Sequence, residues 1–268
     1  MSLFQDNPDQ NNIIELRDIG QSYDGGQNWI IENCDFLIED KPDQGQFVVI
    51  LGMSGAGKST ILRYIAGLQE PSKGTVLVKG KPIGEADRVS MVFQQYSSLP
   101  WMTVLENVGL ALRYQGVKKK ERDERALELI KLVGLEGHEQ KYAQYPTLSG
   151  GQLQRVAIAR SLLANPEILL MDEPFGALDI RTRLQMQDLL TSIWHKFQST
   201  IIFVTHDISE AVYLADDIYI MKAQPSKFVE HIHVDLPLVR NRFTKRDANY
   251  TRLVHEVEDR MMSVAEMG

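Results

Sequence analysis

The chain has 268 residues, of which 43% are hydrophobic and 24% charged, an ordinary globular composition that suits one large α/β domain with a small appendage. Its net charge of −7 argues against nonspecific binding to nucleic acid or to anionic lipid. The one cysteine, Cys34, excludes an intramolecular disulfide and fits a reducing compartment. Residues 1–12 lack the pattern of a signal peptide. No apolar run approaches the ~18 residues of a membrane span, so work at a membrane would require a partner.

Short stretches in the first third of the chain predict strands, because their apolar residues alternate or form a β-branched run. The clearest is Phe47–Leu51, which ends in glycine and is typical of a buried parallel strand. A helix over 59–67 follows it, and Gly80 indicates a hairpin turn. The strands predicted in this part of the chain are 13–19, 30–38, Phe47–Leu51, 75–79 and 89–93.

The rest of the chain alternates helical patterns with short buried strands, which favours a mostly parallel sheet flanked by helices in an α/β fold. A helical pattern runs over 104–133, and its charged part, 117–125, is typical of a solvated helix face. A strong amphipathic helix is predicted at 152–163. Strands are predicted at 168–171, 200–204 and 231–238, and a charged helix at 244–262.

The segment after the Phe47–Leu51 strand matches the P-loop pattern, in which two glycines stand four residues apart and are followed by Lys and Ser. Gly52 and Gly57 let the backbone curl around phosphate with its N–H groups pointing inward. Lys58 would contact the β- and γ-phosphates of ATP, and the Ser59 hydroxyl would ligate Mg²⁺. The alternative is an ordinary glycine-rich turn, which the strand before it and the helix after it argue against.

Two carboxylates, Asp172 and Glu173, end the apolar strand predicted at 168–171. Ligands of open α/β folds bind at this edge of the sheet. Asp172 suits the outer shell of Mg²⁺, and Glu173 can polarise the attacking water as a general base. The structural alternative is an acid pair at a helix N-terminus before Pro174. The catalytic interpretation is favoured because the same chain also contains a P-loop.

Residues 148–152 read Leu-Ser-Gly-Gly-Gln and precede the strongest predicted helix. This pentapeptide is identical to the signature of the ABC ATPases, and the resemblance covers about residues 13–225. Physically it resembles a second phosphate cradle at a helix N-terminus. In that family the signature of one subunit covers the ATP of another, which implies a dimer with two composite sites.

Four further residues resemble landmarks of the same family. Tyr23 matches the aromatic residue that stacks on adenine, although a strand-end tyrosine is the alternative. Gln94, or its neighbour Gln95, matches the glutamine that contacts Mg²⁺ and the lytic water and links the site to the membrane subunit. Asp179 matches an aspartate that crosses the dimer interface. His206 matches the switch histidine that contacts the γ-phosphate, although a lone histidine is more often structural.

The resemblance implies a P-loop NTPase core with a mostly parallel sheet, an antiparallel β subdomain and an α-helical signature subdomain at about 95–165. The ATPase domain would span 13–225, between a flexible tail at 1–12 and an extension at 226–268. Catalysis would rest on Lys58, Gln94, Glu173 and His206. The implied Mg²⁺ ligands are Ser59, Gln94 and Asp172. The implied ATP contacts are Tyr23, Gly52, Ser54, Gly55, Ala56, Gly57, Lys58, Ser59, Thr60, Ser149, Gly150, Gly151, Gln152 and Asp179.

Within the family, 98–108 and 170–179 are similar to ATPases that import nitrate, taurine, alkanesulfonates and related small anions. The chain departs from that group at Gln152, directly after the second signature glycine, where methionine is frequent, and in a longer 40–46 segment. The basic residues common near the proline of the tail are displaced to Arg240 and Arg242.

The resemblance implies three partners: a transmembrane permease, a second identical or related ATPase subunit and, indirectly, a solute-binding protein. The chain would lie on the cytoplasmic face of the inner membrane, and no nucleic-acid partner is expected. The segment 99–101 would form the groove for the permease, although Trp101 could equally be core. Alternatives from other classes are a soluble ABC ATPase in a non-transport process, an ATPase of a lipid or export system, and a P-loop kinase or GTPase. The transported solute is left open.

Overall fold

The computed structural model describes residues 11–41, 44–83 and 89–266, with the exception of the side chain of His195. They form two compact units. Unit 1 contains the described residues up to 89 and from 201 onward, and unit 2 contains residues 90–200. In chain order the elements are β1 (Asn12–Gln21), β2 (Ile31–Glu39), β3 (Phe47–Leu51), α1 (Lys58–Ile65), β4 (Lys73–Val78), β5 (Lys81–Pro82), β6 (Ser90–Val92), α2 (Val104–Val108), α3 (Leu110–Tyr114), α4 (Lys119–Leu132), α5 (Gly150–Leu163), β7 (Ile168–Asp172), α6 (Ile180–Phe197), β8 (Thr200–Thr205), α7 (Ile208–Leu214), β9 (Asp217–Lys222), β10 (Lys227–His233) and α8 (Ala248–Glu266).

Unit 1 holds the antiparallel sheet that the family resemblance implies. Its strands lie in the order β2-β1-β4-β5, and every neighbouring pair is antiparallel. The hairpin predicted at Gly80 joins β4 to β5, and both Lys79 and Gly80 have positive φ angles that a tight turn needs. Ile14, Leu16 and Ile19 of β1 are fully buried, which fixes the inner face of this sheet.

Strand β3 lies between β8 and β9 in unit 1 and is parallel to both. All five of its residues are buried, as the β-branched run predicts. Strand β10 adds an antiparallel partner to β9. Because β3 is parallel to β8, its carboxyl end at Leu51 lies beside Thr205, so the residues that follow both strands emerge at the same edge.

Unit 2 contains the parallel pair β6 and β7 and five helices, α2 to α6. The helical pattern predicted over 104–133 is split into three helices, because the chain turns at Gly109 and again at Gly116, whose φ angle is +76°. A capping box starts α2: the Thr103 side chain accepts from Glu106 N–H, and the Glu106 carboxylate accepts from Thr103 N–H.

The strand and the helix of the C-terminal part begin and end at other residues than the sequence predicts. The predicted strand 231–238 is found as β10, which begins at Lys227 and ends at His233, before Pro237. The predicted helix 244–262 begins instead with a single 3₁₀ turn at Thr244–Arg246, and α8 itself starts at Ala248. Tyr250, Leu253 and Val257 form its buried face.

Two expectations concern the ends of the chain and the membrane. Residues 1–10 of the expected tail lie outside the described residues, and Asn12 already begins β1. The domain boundaries at 13, 225 and 226 stay predictions. Among the described residues, none of the helices has the length and apolar character that crossing a bilayer requires.

Candidate functional site

The P-loop occupies the turn between β3 and α1, as the glycine spacing predicts. Gly52 follows the buried end of β3, and a Cβ there would lie 2.6 Å from the Met221 carbonyl oxygen, so only glycine fits. Gly55 and Gly57 have φ angles of +83° and +82°, which side chains rarely tolerate. The backbone therefore makes the tight curl that a phosphate cradle requires.

Lys58 is folded over the mouth of this loop. Its ammonium group donates to the carbonyl oxygens of Gly52 at 2.9 Å and Met53 at 3.0 Å, and the residue is only 4% exposed. Gly57 precedes α1 without any side-chain cap for its first turn. The helix N-terminus and the ammonium group together give this turn the positive potential that attracts phosphate.

Tyr23 and His206 are two further predicted site residues in unit 1. Tyr23 follows β1 and is 71% exposed, with its hydroxyl near Gln69 Nε2 at 3.4 Å. Its ring is accessible for stacking on a planar base, and its role in ATP binding stays a prediction. His206 directly follows Thr205, the last residue of β8, and is exposed rather than part of the core.

The signature segment in unit 2 starts α5 with a complete capping box. Ser149 Oγ accepts from Gln152 N–H at 3.3 Å, and the Gln152 side chain accepts from Ser149 N–H at 2.9 Å. A serine oxygen that accepts a bond still carries its hydroxyl hydrogen as a donor. Gln152 Nε2 lies 2.8 Å from His138 Nε2, so the glutamine amide is held within unit 2. Its role as an ATP contact stays a prediction.

Both signature glycines stand where a side chain would collide. A Cβ on Gly150 would lie 2.1 Å from the Tyr96 hydroxyl, and one on Gly151 would lie 2.4 Å from Thr182 Cγ2. The segment after Gln94 is thereby packed on the start of α5. Sequence reasoning missed Tyr96 and Thr182, since only the fold brings them to the glycines.

Strand β7 delivers Asp172 and Glu173 at its carboxyl end. Glu173 has a φ angle of +42°, a conformation that non-glycine residues adopt at an energetic cost and that clusters at functional sites. A methyl group at Gly176 would lie 3.6 Å from Gln94 Nε2 and 3.8 Å from Glu173 Oε2. Unit 2 therefore brings Gln94 and Glu173 to the same glycine.

Asp179 begins α6 as its N-cap residue. Its carboxylate accepts from Thr182 N–H at 3.0 Å and from the Thr182 hydroxyl at 2.6 Å. These bonds hold the pKa of Asp179 below its ordinary value. The carboxylate is therefore ionised at neutral pH and lies on an exposed surface.

The predicted site residues divide between the two units. Unit 1 carries Tyr23, Gly52, Ser54, Gly55, Ala56, Gly57, Lys58, Ser59, Thr60 and His206, and unit 2 carries Gln94, Ser149, Gly150, Gly151, Gln152, Asp172, Glu173 and Asp179. The P-loop and the signature thus belong to separate compact units of one chain.

A P-loop between a buried parallel strand and a helix, beside an antiparallel sheet, defines a P-loop nucleotide-binding protein. The Ser149–Gln152 turn at the start of α5 narrows this class to the ATP-binding cassettes. The sequence profile of the ABC transporter family matches residues 38–176. The chain belongs to this family, as an ATP-binding subunit.

Curated relatives support this membership at high identity. The chain is 43% identical over 228 residues to the nitrate import ATP-binding protein NrtD of Synechocystis sp., covering 84% of this chain and 83% of the relative. It is 49% identical over 198 residues to the taurine import ATP-binding protein TauB of Rhizobium johnstonii, covering 73% and 74%.

A solved structure supports the fold and the hydrolytic activity. A dimeric ATP-binding cassette in a post-hydrolysis state, bound to ADP and Pi, matches with a TM-score of 0.68 at 32% identity. The match covers 85% of this chain and 99% of the other. The chain is an ATPase of this fold, as the sequence predicts.

Proposed function

We propose that this chain is one of two ATPase subunits that power uptake of a small anion through a separate permease, bound to the cytoplasmic face of the inner membrane. The observation that carries the proposal is the presence of two glycine-rich helix N-termini in one chain, the P-loop at α1 and the Ser149 turn at α5. One γ-phosphate does not need two cradles from the same chain, so the second cradle serves the ATP of a neighbouring subunit.

Pairing explains how ATP binding would become movement. ATP held by the P-loop of one subunit adds contacts to the Ser149 hydroxyl of its partner only when the two subunits close. Release of the products after hydrolysis removes those contacts and lets the pair reopen. The dimeric, ADP-bound relative supports this arrangement, and homodimers and heterodimers of related ATPases fit it equally well.

The residues of this chain have separable roles in hydrolysis. Lys58 binds the phosphate oxygens and stabilises the charge that builds up on the transferring phosphoryl group. Glu173 accepts a proton from the attacking water, and its backbone has the positive φ angle that clusters at functional sites. His206 contacts the γ-phosphate, and Gln94 orients the water beside Glu173.

The donor set of the chain fits Mg²⁺. Ser59, Gln94 and Asp172 offer only oxygen ligands, which this ion prefers, and no cluster of three or more His, Cys, Asp or Glu side chains suited to a metal occurs in the described ranges. Mg²⁺ is ordinarily held by one or two protein oxygens together with phosphates and water. When bound with ATP, it supplies charge neutralisation on the phosphates.

Unit 2 exposes the surface that we assign to the permease. Trp101 is 68% exposed, so the alternative that it belongs to the core is wrong. The buried Asn107 side chain holds this loop: it accepts from Leu99 N–H at 2.8 Å and donates to the carbonyls of Leu99 and Met102. Two exposed aromatic side chains of the same unit, Tyr142 and Tyr145, add to the apolar surface available for a helix of the permease.

The anionic solute is inferred from similarity, because this subunit would not touch it. The relatives are named for nitrate and taurine import, and 98–108 and 170–179 resemble the same group. A solute-binding protein would then deliver the anion to the outer face of the permease. The alternatives of a non-transport ABC ATPase and of an export system predict other partners.

The first experiment tests the catalytic half of the proposal with Glu173→Gln and the exposed control Glu136→Gln. Glu173→Gln should bind ATP with unchanged affinity, hydrolyse it at least about 100-fold more slowly and accumulate as an ATP-bound dimer by light scattering. Glu136→Gln should behave as wild type. Hydrolysis by Glu173→Gln at the wild-type rate would refute the assignment of the base.

The second experiment tests the transport half by affinity purification from detergent-solubilised membranes. The wild-type chain should retain a polytopic membrane protein, and Trp101→Ala should lose it while keeping its ATP affinity. Tyr114→Ala, which removes an exposed aromatic side chain outside the 99–101 loop, is the control and should still retain the membrane protein. Loss of the membrane protein in this control would indicate nonspecific hydrophobic adhesion. Recovery of ribosomal proteins or DNA in place of a membrane protein would favour the non-transport alternative.

A further inference from the structure

Helix α7 begins at Ile208, two residues after His206, and a hydrogen-bond network joins its first turn to the residues on either side of His206. Thr205 Oγ1 donates to Glu210 Oε2 at 2.7 Å and accepts from Asp207 N–H at 3.0 Å. Asp207 caps the helix by accepting from Glu210 N–H at 3.0 Å. His206 stands between two residues of this network, so its backbone follows any displacement of α7.

The far end of α7 is capped by an arginine from the C-terminal extension. A helix ends with carbonyl groups that have no partner within the helix. Arg240 donates from Nη1 to the carbonyls of Tyr213 at 3.1 Å and Ala215 at 2.8 Å, and from Nη2 to Asp216 Oδ1 at 3.2 Å. Its Nε donates to Pro237 O at 3.1 Å, so the guanidinium group bonds four partners.

This guanidinium group is buried, with only 2% of its side chain exposed. Burial lowers the pKa of Arg240, and the facing carboxylate of Asp216 opposes that effect. Asp216 also accepts from Phe47 N–H at 3.0 Å, which connects the Arg240–Asp216 ion pair to the first residue of β3. Removing one partner of such a buried pair leaves the other charge and the helix carbonyls without compensation.

Two more contacts tie the extension to α7. The Tyr250 hydroxyl of α8 donates to the Ser209 carbonyl at 3.0 Å, in the first turn of α7. Lys245 places its ammonium group 4.3 Å above the ring centre of Tyr213, in the last turn. The extension therefore holds α7 near both of its ends.

The same extension also reaches the P-loop. Met261, Val264 and Ala265 of α8 line a cavity of about 100 Å³ together with Met53 and Met221. Met53 belongs to the phosphate-binding turn, and the Met221 carbonyl is the group that restricts position 52 to glycine. One C-terminal helix thus borders the P-loop as well as the helix that follows His206.

We propose that the C-terminal extension sets the position of His206 and of α7, which follows it. Arg240 is the positioning residue that holds α7, and through it His206, in place for hydrolysis. The inference rests on the proposed role of His206. It gives the extension a function in the ATPase cycle in place of mere packing. The extension acts within one chain, so the effect does not depend on which solute is transported.

The test compares Arg240→Met with the matched control Arg242→Met in the purified full-length chain. Arg242 is exposed and stacks on Phe243, with 4.8 Å from its guanidinium carbon to the ring centre. Arg240→Met should lower kcat about tenfold and leave the KM and Kd for ATP within about twofold, because the P-loop ligands stay intact. Hydrogen exchange should accelerate in α7 and be unchanged in α5.

A purely structural role predicts a different result. Arg240→Met would then lower the melting temperature and the folded yield, but each folded subunit would hydrolyse ATP at the wild-type kcat, which overturns the proposal. Arg240→Lys, which keeps the charge and can reach fewer carbonyls, should recover kcat to within about threefold of wild type. If Arg240→Met does not fold, Tyr250→Phe removes only the hydroxyl that donates to Ser209 and should still lower kcat about threefold.

His206→Ala separates failure of this inference from failure of the proposed function. Wild-type hydrolysis by His206→Ala would refute the role of the histidine, and the inference with it. Slow hydrolysis by His206→Ala, together with wild-type hydrolysis by Arg240→Met, would refute the inference alone. The double variant should be no slower than His206→Ala, because both changes act on one group; additive losses would contradict the proposal.

Discussion

The two glycine-flanked helix N-termini of this chain are built in opposite ways. Helix α1 follows Gly57 in a left-handed conformation and has no side-chain cap. Helix α5 follows Ser149 in an extended conformation and has a complete capping box. The first helix leaves its N-terminal turn for a ligand to complete, and the second completes its own. Glycine and serine at a helix start therefore give two different structures. One is a phosphate cradle whose N–H groups await a ligand, and the other is a turn that is already capped by its own side chains.

The neighbours of the glycines differ in the same sense. Gly52 in the P-loop is restricted by a backbone carbonyl of Met221, which cannot move without shifting β9. Gly150 in the signature is restricted by the side-chain hydroxyl of Tyr96, which can swing aside. The P-loop is thus held rigidly by the sheet, while the signature is held by side chains that can adjust when a partner approaches.

The largest expected effect is on ATP affinity, which should depend on the P-loop and not on the signature of the same chain. Lys58→Ala should weaken ATP binding to the isolated chain at least about 30-fold, because it removes a charge-assisted contact worth about 2–3 kcal/mol. Ser149→Ala should leave this affinity unchanged, since its hydroxyl serves the ATP of a partner. A titration with a fluorescent nucleotide measures both, with the exposed Lys73→Ala as the control. Unchanged affinity in Lys58→Ala would discredit the P-loop as the ATP cradle.

The second prediction concerns the glycine neighbours. Gly52→Ala should lower the free energy of unfolding by about 2 kcal/mol, because the new methyl group meets a backbone carbonyl that only a shift of β9 can relieve. Gly150→Ala should cost about half as much, since the end of the Tyr96 side chain can move. Urea unfolding of both variants measures the difference. Equal losses would mean that the signature is as rigid as the P-loop.

A smaller effect distinguishes the two roles of Ser149, which are capping of α5 and donation of a hydrogen bond to phosphate. Ser149→Ala should lower the free energy of unfolding by about 1 kcal/mol through loss of the cap. Ser149→Asp should keep that stability, because a carboxylate caps a helix equally well. Both variants should lose ATPase activity in the dimer, since neither has a hydroxyl hydrogen to donate to phosphate. An active Ser149→Asp variant would show that the residue only caps α5.

The smallest effect uses Cys34 as a reporter of unit 1. Burial raises the pKa of its thiol to about 12, so at pH 8 the folded protein presents a protonated, unreactive group. Labelling by a thiol reagent then requires opening, and its rate should keep rising with pH through about 8.5, the ordinary cysteine pKa. Because the folded pKa is the higher one, stability should fall as pH rises from there toward 12.

ATP should slow this labelling through the P-loop alone. At three times its Kd, ATP should slow labelling of the wild-type chain about fourfold. Ser149→Ala should retain this protection, and Lys58→Ala at the same ATP concentration should lose it. Equal protection in both variants would place the ATP contact outside the P-loop.

Local patterns predicted where several elements and both glycine-rich turns lie in the chain. The glycine-rich turn at 52–57 lies between β3 and α1 as predicted, because the curl depends on glycine φ angles within the loop itself, and α1 begins at Lys58, one residue before the predicted start. Helix α5 begins at Gly150, two residues before the predicted start at Gln152, because Ser149 and Gln152 cap it from within four residues. The roles assigned to these residues in binding and catalysis stay predictions.

The misplaced elements show where local patterns lose information. The alternation over 231–238 continues beyond the strand, but pairing with β9 and the following Pro237 end β10 at His233. The helical period over 104–133 also survives two breaks, because Gly109 and Gly116 interrupt the chain without disturbing the apolar spacing. Strand pairing and turn geometry decide such boundaries.

The amino-acid sequence by itself determined the P-loop, the self-capped signature and the order of strands and helices, because each depends on residues a few positions apart. Only the tertiary structure decided that Tyr96 lies against Gly150 and that Arg240 caps α7 across 25 and more positions of chain. Such contacts exist only after the intervening chain has folded, since side-chain donors far apart in sequence carry no local signal of the groups that they will meet.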